Sequence, residues 1–131
     1  MTHNIPTELQ RYVQERIIPQ YAGFDKAHQI DHAEKVIEES LKLALHYEVN
    51  SAMVYTIAAY HDLGLCEGRE FHHIVSGKIL FADETLWQWF TDDQMLQMKE
   101  AIEDHRASNK QAPRSIYGKI VAEADRIIDP E

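Results

Sequence analysis

Histidine and aspartate meet at the step His61-Asp62, which ends an apolar run (Met53, Val54, Ile57, Ala58) and is followed by Leu63 and Gly64. An imidazole nitrogen and a carboxylate oxygen delivered together where a helix stops are two ligands for a divalent cation. With eight histidines among 131 residues, the doublet alone carries little weight. Spacing has to make the case. Other stretches share its character: Gln29-Ile30-Asp31-His32 upstream, then His72-His73, Glu103-Asp104-His105 and Ala124-Asp125 downstream. In chain order the candidate metal ligands are His32, His61, Asp62, His73, His105 and Asp125.

Clustered cysteines are absent, which argues against a thiolate structural zinc, and the imidazole and carboxylate donors suit Mn, Fe, Ni, Zn or Mg as one ion or two. Adjacent helical residues diverge by about 100°. His61 and Asp62 therefore reach one ion only from the edge of their helix or from a loosened end, and Gly64 is placed to loosen it. Asp62 has two oxygens and is the natural bridge if His73 and His105 hold a second ion. His72 is expected to be the outward neighbour of His73, and His46 and His3 to face solvent.

The elements that must position these groups read as helices throughout. Thr7 to Ile18 carries Leu9, Tyr12, Val13 and Ile17 at helical spacing between Pro6 and Pro19. Tyr21 to Gln29 reads as a connector. Asp31 with Glu34 has the pattern of a capping box opening a second helix that runs to about Tyr47, with Ala33, Val36, Ile37, Leu41, Ala44 and Leu45 facing inward. Asn50-Ser51 opens a nearly all-apolar third helix, Ala52 to Tyr60, expected to be central.

Leu65 to Glu70 reads as a surface loop. His72 to Ala82 reads as a fourth helix with Ile74, Ile79, Leu80 and Phe81 as core candidates and Gly77 allowing close helix contact, followed by the aromatic segment Leu86, Trp87, Trp89 and Phe90. Thr91 with Gln94 caps a fifth helix through His105 with the stripe Met95, Met98 and Ile102, and Ser115 to Ile128 is the last, with Ile116, Ile120, Val121 and Ala124 inward. No strand signal or repeat competes. The expected architecture is all-α, a compact bundle of about six helices around a metal site, in a single domain over residues 1–131.

A net charge of −9 and a pI near 5.3 argue against non-specific binding to nucleic acid or to an anionic membrane surface. The same acidity would repel a small phosphate unless a bound cation reverses the local field. One cysteine cannot form an internal disulfide, and there is neither a leader-like amino terminus nor a run of ~18 apolar residues. The expected compartment is the cytoplasm.

The order His32, His61-Asp62, Asp125 resembles the HD domain superfamily of metal-dependent phosphohydrolases. His61-Asp62-Leu63-Gly64, His73 with Gly77, His105 and Ala124-Asp125 are similar to the branch with a His-Asp-Ile-Gly signature, Leu63 standing for its isoleucine, over about residues 28 to 126. The resemblance implies a mono- or dinuclear centre with His32, His61, Asp62 and Asp125 as core ligands and His73 and His105 on a second ion. It implies hydrolysis of a small phosphorylated substrate, a nucleotide above all, through a metal-activated water that Asp62 orients or deprotonates. Lys26, His28, Arg69 and Arg106 are candidates for holding phosphate. The alternative is a metal- or nucleotide-binding regulatory module that has lost turnover. Family members run on for several helices past the last ligand, whereas this chain ends six residues after Asp125. A truncated form, or a pocket without its distal wall, is the corresponding expectation. The glycine-tyrosine-proline elements of cyclic dinucleotide phosphodiesterases are absent, which argues against that substrate.

Overall fold

The computed structural model describes residues 5–23, 29–67, 71–105 and 113–128. Among them there are helices and turns and no strand.

Helix α1 (Thr7–Tyr12) follows Pro6 and runs on through a π-type turn, Val13–Ile17, and a 3₁₀ turn, Ile18–Gly23. The expected stop at Pro19 is therefore corrected. Pro19 is the second residue of the 3₁₀ turn. The row Leu9, Val13, Ile17, Tyr21 repeats every four residues and is buried along its length.

Helix α2 (Gln29–Ala44) buries Ala33, Val36, Ile37, Ser40 and Ala44 and exposes Asp31, Glu34, Lys35 and Glu38, the one-sided pattern of an amphipathic helix. Asp31 is not its cap. It lies inside the first turn, where its negative charge suits the helix dipole, and it pairs with Lys35 at 3.1 Å. The helix ends at Ala44, short of Tyr47, because Leu45, His46 and Tyr47 turn back onto the carbonyls of Lys42, Leu43 and Ala44. Leu45, expected in the core, is consequently 48% exposed.

Helix α3 (Ser51–Tyr60) begins at Asn50, whose side chain accepts the Met53 N–H at 3.2 Å, and every residue from Ala52 to Tyr60 is buried. It is the central element. α3 touches α2 together with α4 (His72–Ala82), α5 (Asp92–Asp104) and α6 (Ile116–Ile128), and these four meet one another in the order α2, α6, α5, α4. The gap between α4 and α2 is bridged by the 3₁₀ turn Ile18–Gly23, which packs on α2 and on a second 3₁₀ turn, Leu63–Glu67.

The expected fifth-helix start is observed in full: Thr91 accepts the Gln94 N–H and Gln94 accepts the Thr91 N–H. Met95, Met98 and Ile102 are completely buried. Gly77 lets α4 meet α5 closely, since a Cβ there would lie 3.2 Å from the Lys99 carbonyl oxygen. Phe81 is corrected from core to surface at 38% exposure, while Leu80 is buried as expected. Leu86 and Phe90 are buried around a 3₁₀ turn, Glu84–Gln88, while Trp87 and Trp89 are partly buried. Asp83 accepts the hydroxyls of Tyr12 and Tyr60 at 2.7 and 2.5 Å and so ties α1 and α3 to the end of α4. No helix among the described residues is long and apolar enough to cross a membrane.

Candidate metal centre

The site is built where helices stop. The last four carbonyls of α3 have no intrahelical N–H to accept. His61, one residue past the end, donates its Nδ1–H to the Ala58 carbonyl at 2.6 Å. The Tyr21 hydroxyl donates to the next carbonyl, that of Ala59, at 2.7 Å, and accepts the Asp62 N–H at 3.3 Å. Committing Nδ1–H to a carbonyl leaves Nε2 as the nitrogen that carries the lone pair in the neutral ring. In His61 that atom is buried without a hydrogen-bond partner, 3.3 Å from Asp62 Oδ2 and 3.5 Å from Asp125 Oδ1.

α5 ends in the same way. His105 follows its last residue, donates Nδ1–H to the Ile102 carbonyl at 2.5 Å, and brings Nε2 to 3.7 Å from Asp62 Oδ1. The rings of His61 and His105 meet edge to face with centroids 5.1 Å apart.

His32 enters from the first turn of α2, its Nε2 3.2 Å from Asp125 Oδ1 and 3.5 Å from Asp62 Oδ2. Asp125 enters from α6. One ligand atom from each of His32, His61, Asp62 and Asp125 lies within 4.8 Å of the others, so the four residues expected to hold one ion are brought together. A second group consists of Asp62, His72 and His105. His105 is where it was expected, but it is His72 whose Nε2 lies 3.2 Å from Asp62 Oδ1, and His73 is in neither group. The reason is rotational phase: α4 starts at His72, and one step along a helix turns a side chain by about 100°.

Gly64 has a different task from loosening the helix end. A Cβ at Gly64 would fall 2.2 Å from the His72 carbonyl oxygen and 2.6 Å from the Ser76 nitrogen, and the Gly64 N–H donates to Ser76 Oγ at 2.7 Å. Glycine permits the chain after Asp62 to lie directly against the start of α4, which brings His72 within reach of Asp62.

The charges are arranged for a cation. The hydrogen bond to Asp125 and then that to Asp62 lift the His32 pKa to about 9 against the opposing effect of burial. Burial also opposes protonation of His61, but the charge of Asp62 and the contacts with Asp125 and Asp62 outweigh it and raise its pKa. Asp62 is the converse case: burial favours its neutral form, yet His61, His105 and His32 hold its pKa well below the usual carboxylate range. Asp125 is likewise depressed, by His32 and His61 against burial. Two ionised carboxylates surrounded by imidazoles make a nitrogen and oxygen donor set that fits a divalent cation.

Lys26, His28, Arg69 and Arg106 lie outside the described residues. Tyr21, read from sequence as the start of a connector, is a completely buried part of the site's frame. The signal for it was the four-residue row from Leu9. Ser76 had no comparable signal, because its role depends on a backbone approach from a different element.

A family model described as HD domain matches residues 30–128. No curated protein matches the chain significantly. A crystal structure described as a predicted HD superfamily hydrolase, from an uncultured Thermotogales bacterium, matches with a TM-score of 0.75 and 22% sequence identity, covering 95% of this chain and 69% of that one. That likeness agrees with the all-helical fold.

Proposed function

This chain belongs to the HD domain family, in a superfamily of metal-dependent hydrolases, and we propose that it is a divalent-metal phosphohydrolase acting on a small phosphorylated substrate, with nucleotides as the substrate class. The observation that supports this reading most directly is the convergence of one ligand atom each from His32, His61, Asp62 and Asp125 within 4.8 Å, with the buried Nε2 of His61 facing both carboxylates.

His32, His61, Asp62 and Asp125 would hold one ion, and Asp62, His72 and His105 a second. When bound, a divalent cation supplies Lewis acidity, lowering the pKa of water and offsetting negative charge on phosphoryl oxygens. The chain's own residues do the rest. His61 and His105 present lone pairs whose direction is fixed by hydrogen bonds to Ala58 and Ile102. Asp62, kept ionised by its histidine neighbours, accepts a hydrogen bond from the attacking water and so orients it. With a net charge of −9, the chain draws a phosphate anion to this point only if the local field is reversed there, so substrate binding and metal binding are expected to be coupled.

The test is hydrolysis of a panel of phosphomonoesters, diesters and nucleoside triphosphates with added Mn²⁺, before and after chelation and with the Asp62→Ala variant. Turnover that disappears in the variant and on chelation supports the proposal. A chain that binds Mn²⁺ and turns over none of the panel would instead be a binding module.

A further inference from the structure

The Tyr21 hydroxyl is wedged into the backbone that carries two of the ligands, His61 and Asp62. We propose that Tyr21 is a positioning residue for the metal centre, fixing the peptide that delivers Asp62; the inference rests on the metal reading given above.

The argument starts from the end of α3. Two of its terminal carbonyls are closed by side chains, Ala58 by the His61 ring and Ala59 by the Tyr21 hydroxyl. A tyrosine hydroxyl is one donor and also an acceptor, and here both capacities are spent within four residues, on the Ala59 carbonyl and on the Asp62 N–H. The hydroxyl therefore bridges the last turn of the helix to the first ligand beyond it. Tyr21 itself is fixed, being completely buried in the row that begins at Leu9.

Asp62 is the residue for which such control matters most. Its Oδ2 faces His32 and His61, and its Oδ1 faces His72 and His105. A change in the Asp62 backbone moves both oxygens at once. Without the Tyr21 hydroxyl, the Ala59 carbonyl and the Asp62 N–H each lose a partner, and the peptide plane between His61 and Asp62 is free to turn. Partners one step removed from a metal commonly change affinity by about 10- to 100-fold when lost.

Tyr60 supplies the control. It precedes His61 directly, it is buried, and its hydroxyl also makes a hydrogen bond, but to Asp83 at 2.5 Å, through which α3 is tied to the end of α4. Tyr60→Phe removes a buried hydroxyl from the same helix without touching the Asp62 peptide.

Wild type, Tyr21→Phe and Tyr60→Phe would be stripped of metal, checked for helicity and melting by circular dichroism, and titrated with Mn²⁺ while the free ion is followed by electron paramagnetic resonance. The expected result is that Tyr21→Phe folds, weakens Mn²⁺ binding at least tenfold and alters the spectrum of the bound ion, while Tyr60→Phe binds within twofold of wild type. Mn²⁺ binding by Tyr21→Phe within twofold of wild type would overturn the proposal. So would equal weakening in both variants, or failure of Tyr21→Phe alone to fold, since either would make the hydroxyl a general stabiliser. If wild type binds no Mn²⁺, the metal reading itself is lost and the role of Tyr21 with it, an outcome distinct from the others.

Discussion

His72 Nε2 lies 3.2 Å from Asp62 Oδ1, on the opposite side of that carboxylate from His32 and His61. One carboxylate thus serves two groups of nitrogen donors through different oxygens. His72→Ala is expected to bind one Mn²⁺ fewer per chain than wild type, and His73→Ala to keep the wild-type number, both read by elemental analysis after dialysis. The opposite result would mean that the first turn of α4 rotates by one residue when metal binds.

Gly64→Ala is expected to be severely destabilising. The added methyl would overlap the His72 carbonyl oxygen and the Ser76 nitrogen, both backbone atoms that cannot swing aside. Overpacking commonly costs about 1–3 kcal/mol, and a clash with backbone belongs at or above the top of that range. Urea denaturation of the metal-free variant measures it. A loss under about 1 kcal/mol would show that the start of α4 moves away with little resistance.

The metal-free protein should have a bounded stability optimum. His32 is raised from 6.5 to about 9, so its contribution is complete below pH 6.5 and is lost as pH rises through about 9. Asp62 and Asp125 are depressed below 3.8, so theirs is present above that value and is lost as pH falls further. Melting temperatures of chelator-treated protein should therefore fall on the alkaline side of neutrality as well as in acid. Metal uptake must displace the proton on His32, so apparent Mn²⁺ affinity should climb with pH up to about 9. Affinity independent of pH between 6 and 9 would remove His32 from the ligand set.

Arg114 makes two hydrogen bonds from Nε and its backbone N–H to Asp104 Oδ2, both at 2.9 Å, and a further one to Glu103 at 2.8 Å. It thereby joins the end of α5 to the residues just before α6. Its side chain is half-exposed, so Arg114→Leu is expected to cost about 1 kcal/mol or less in chemical denaturation. His105 holds its ring through Ile102 on α5 itself, so Mn²⁺ stoichiometry should not change.

The grouping of the candidate ligands was legible in the sequence where residue type alone speaks. His32 lies on α2, His61 and Asp62 just past the end of α3 and Asp125 on α6, and their residue types as possible donors do not depend on knowing where any helix begins. The Thr91–Gln94 and Asn50 caps were legible because their partners lie three residues away in the chain. What failed needed one piece of three-dimensional information. The choice between His72 and His73 turns on rotational phase, and Asp31 ceases to be a cap once α2 starts at Gln29. Gly64 was assigned conformational freedom when its missing side chain was the point, because the atoms that demand the space belong to residues eight and twelve positions later.

Both buried histidines of the centre sit one residue beyond a helix and donate a proton to the carbonyl three residues back. The Ala58 carbonyl is available because α3 has ended, whereas the Ile102 carbonyl also accepts the His105 backbone N–H at 3.2 Å. Extending α3 by a single turn would give the Ala58 carbonyl to a backbone N–H and leave the His61 ring to choose its own tautomer. Helix length here is a chemical specification: the point at which α3 stops decides which nitrogen of the His61 ring is left with a lone pair.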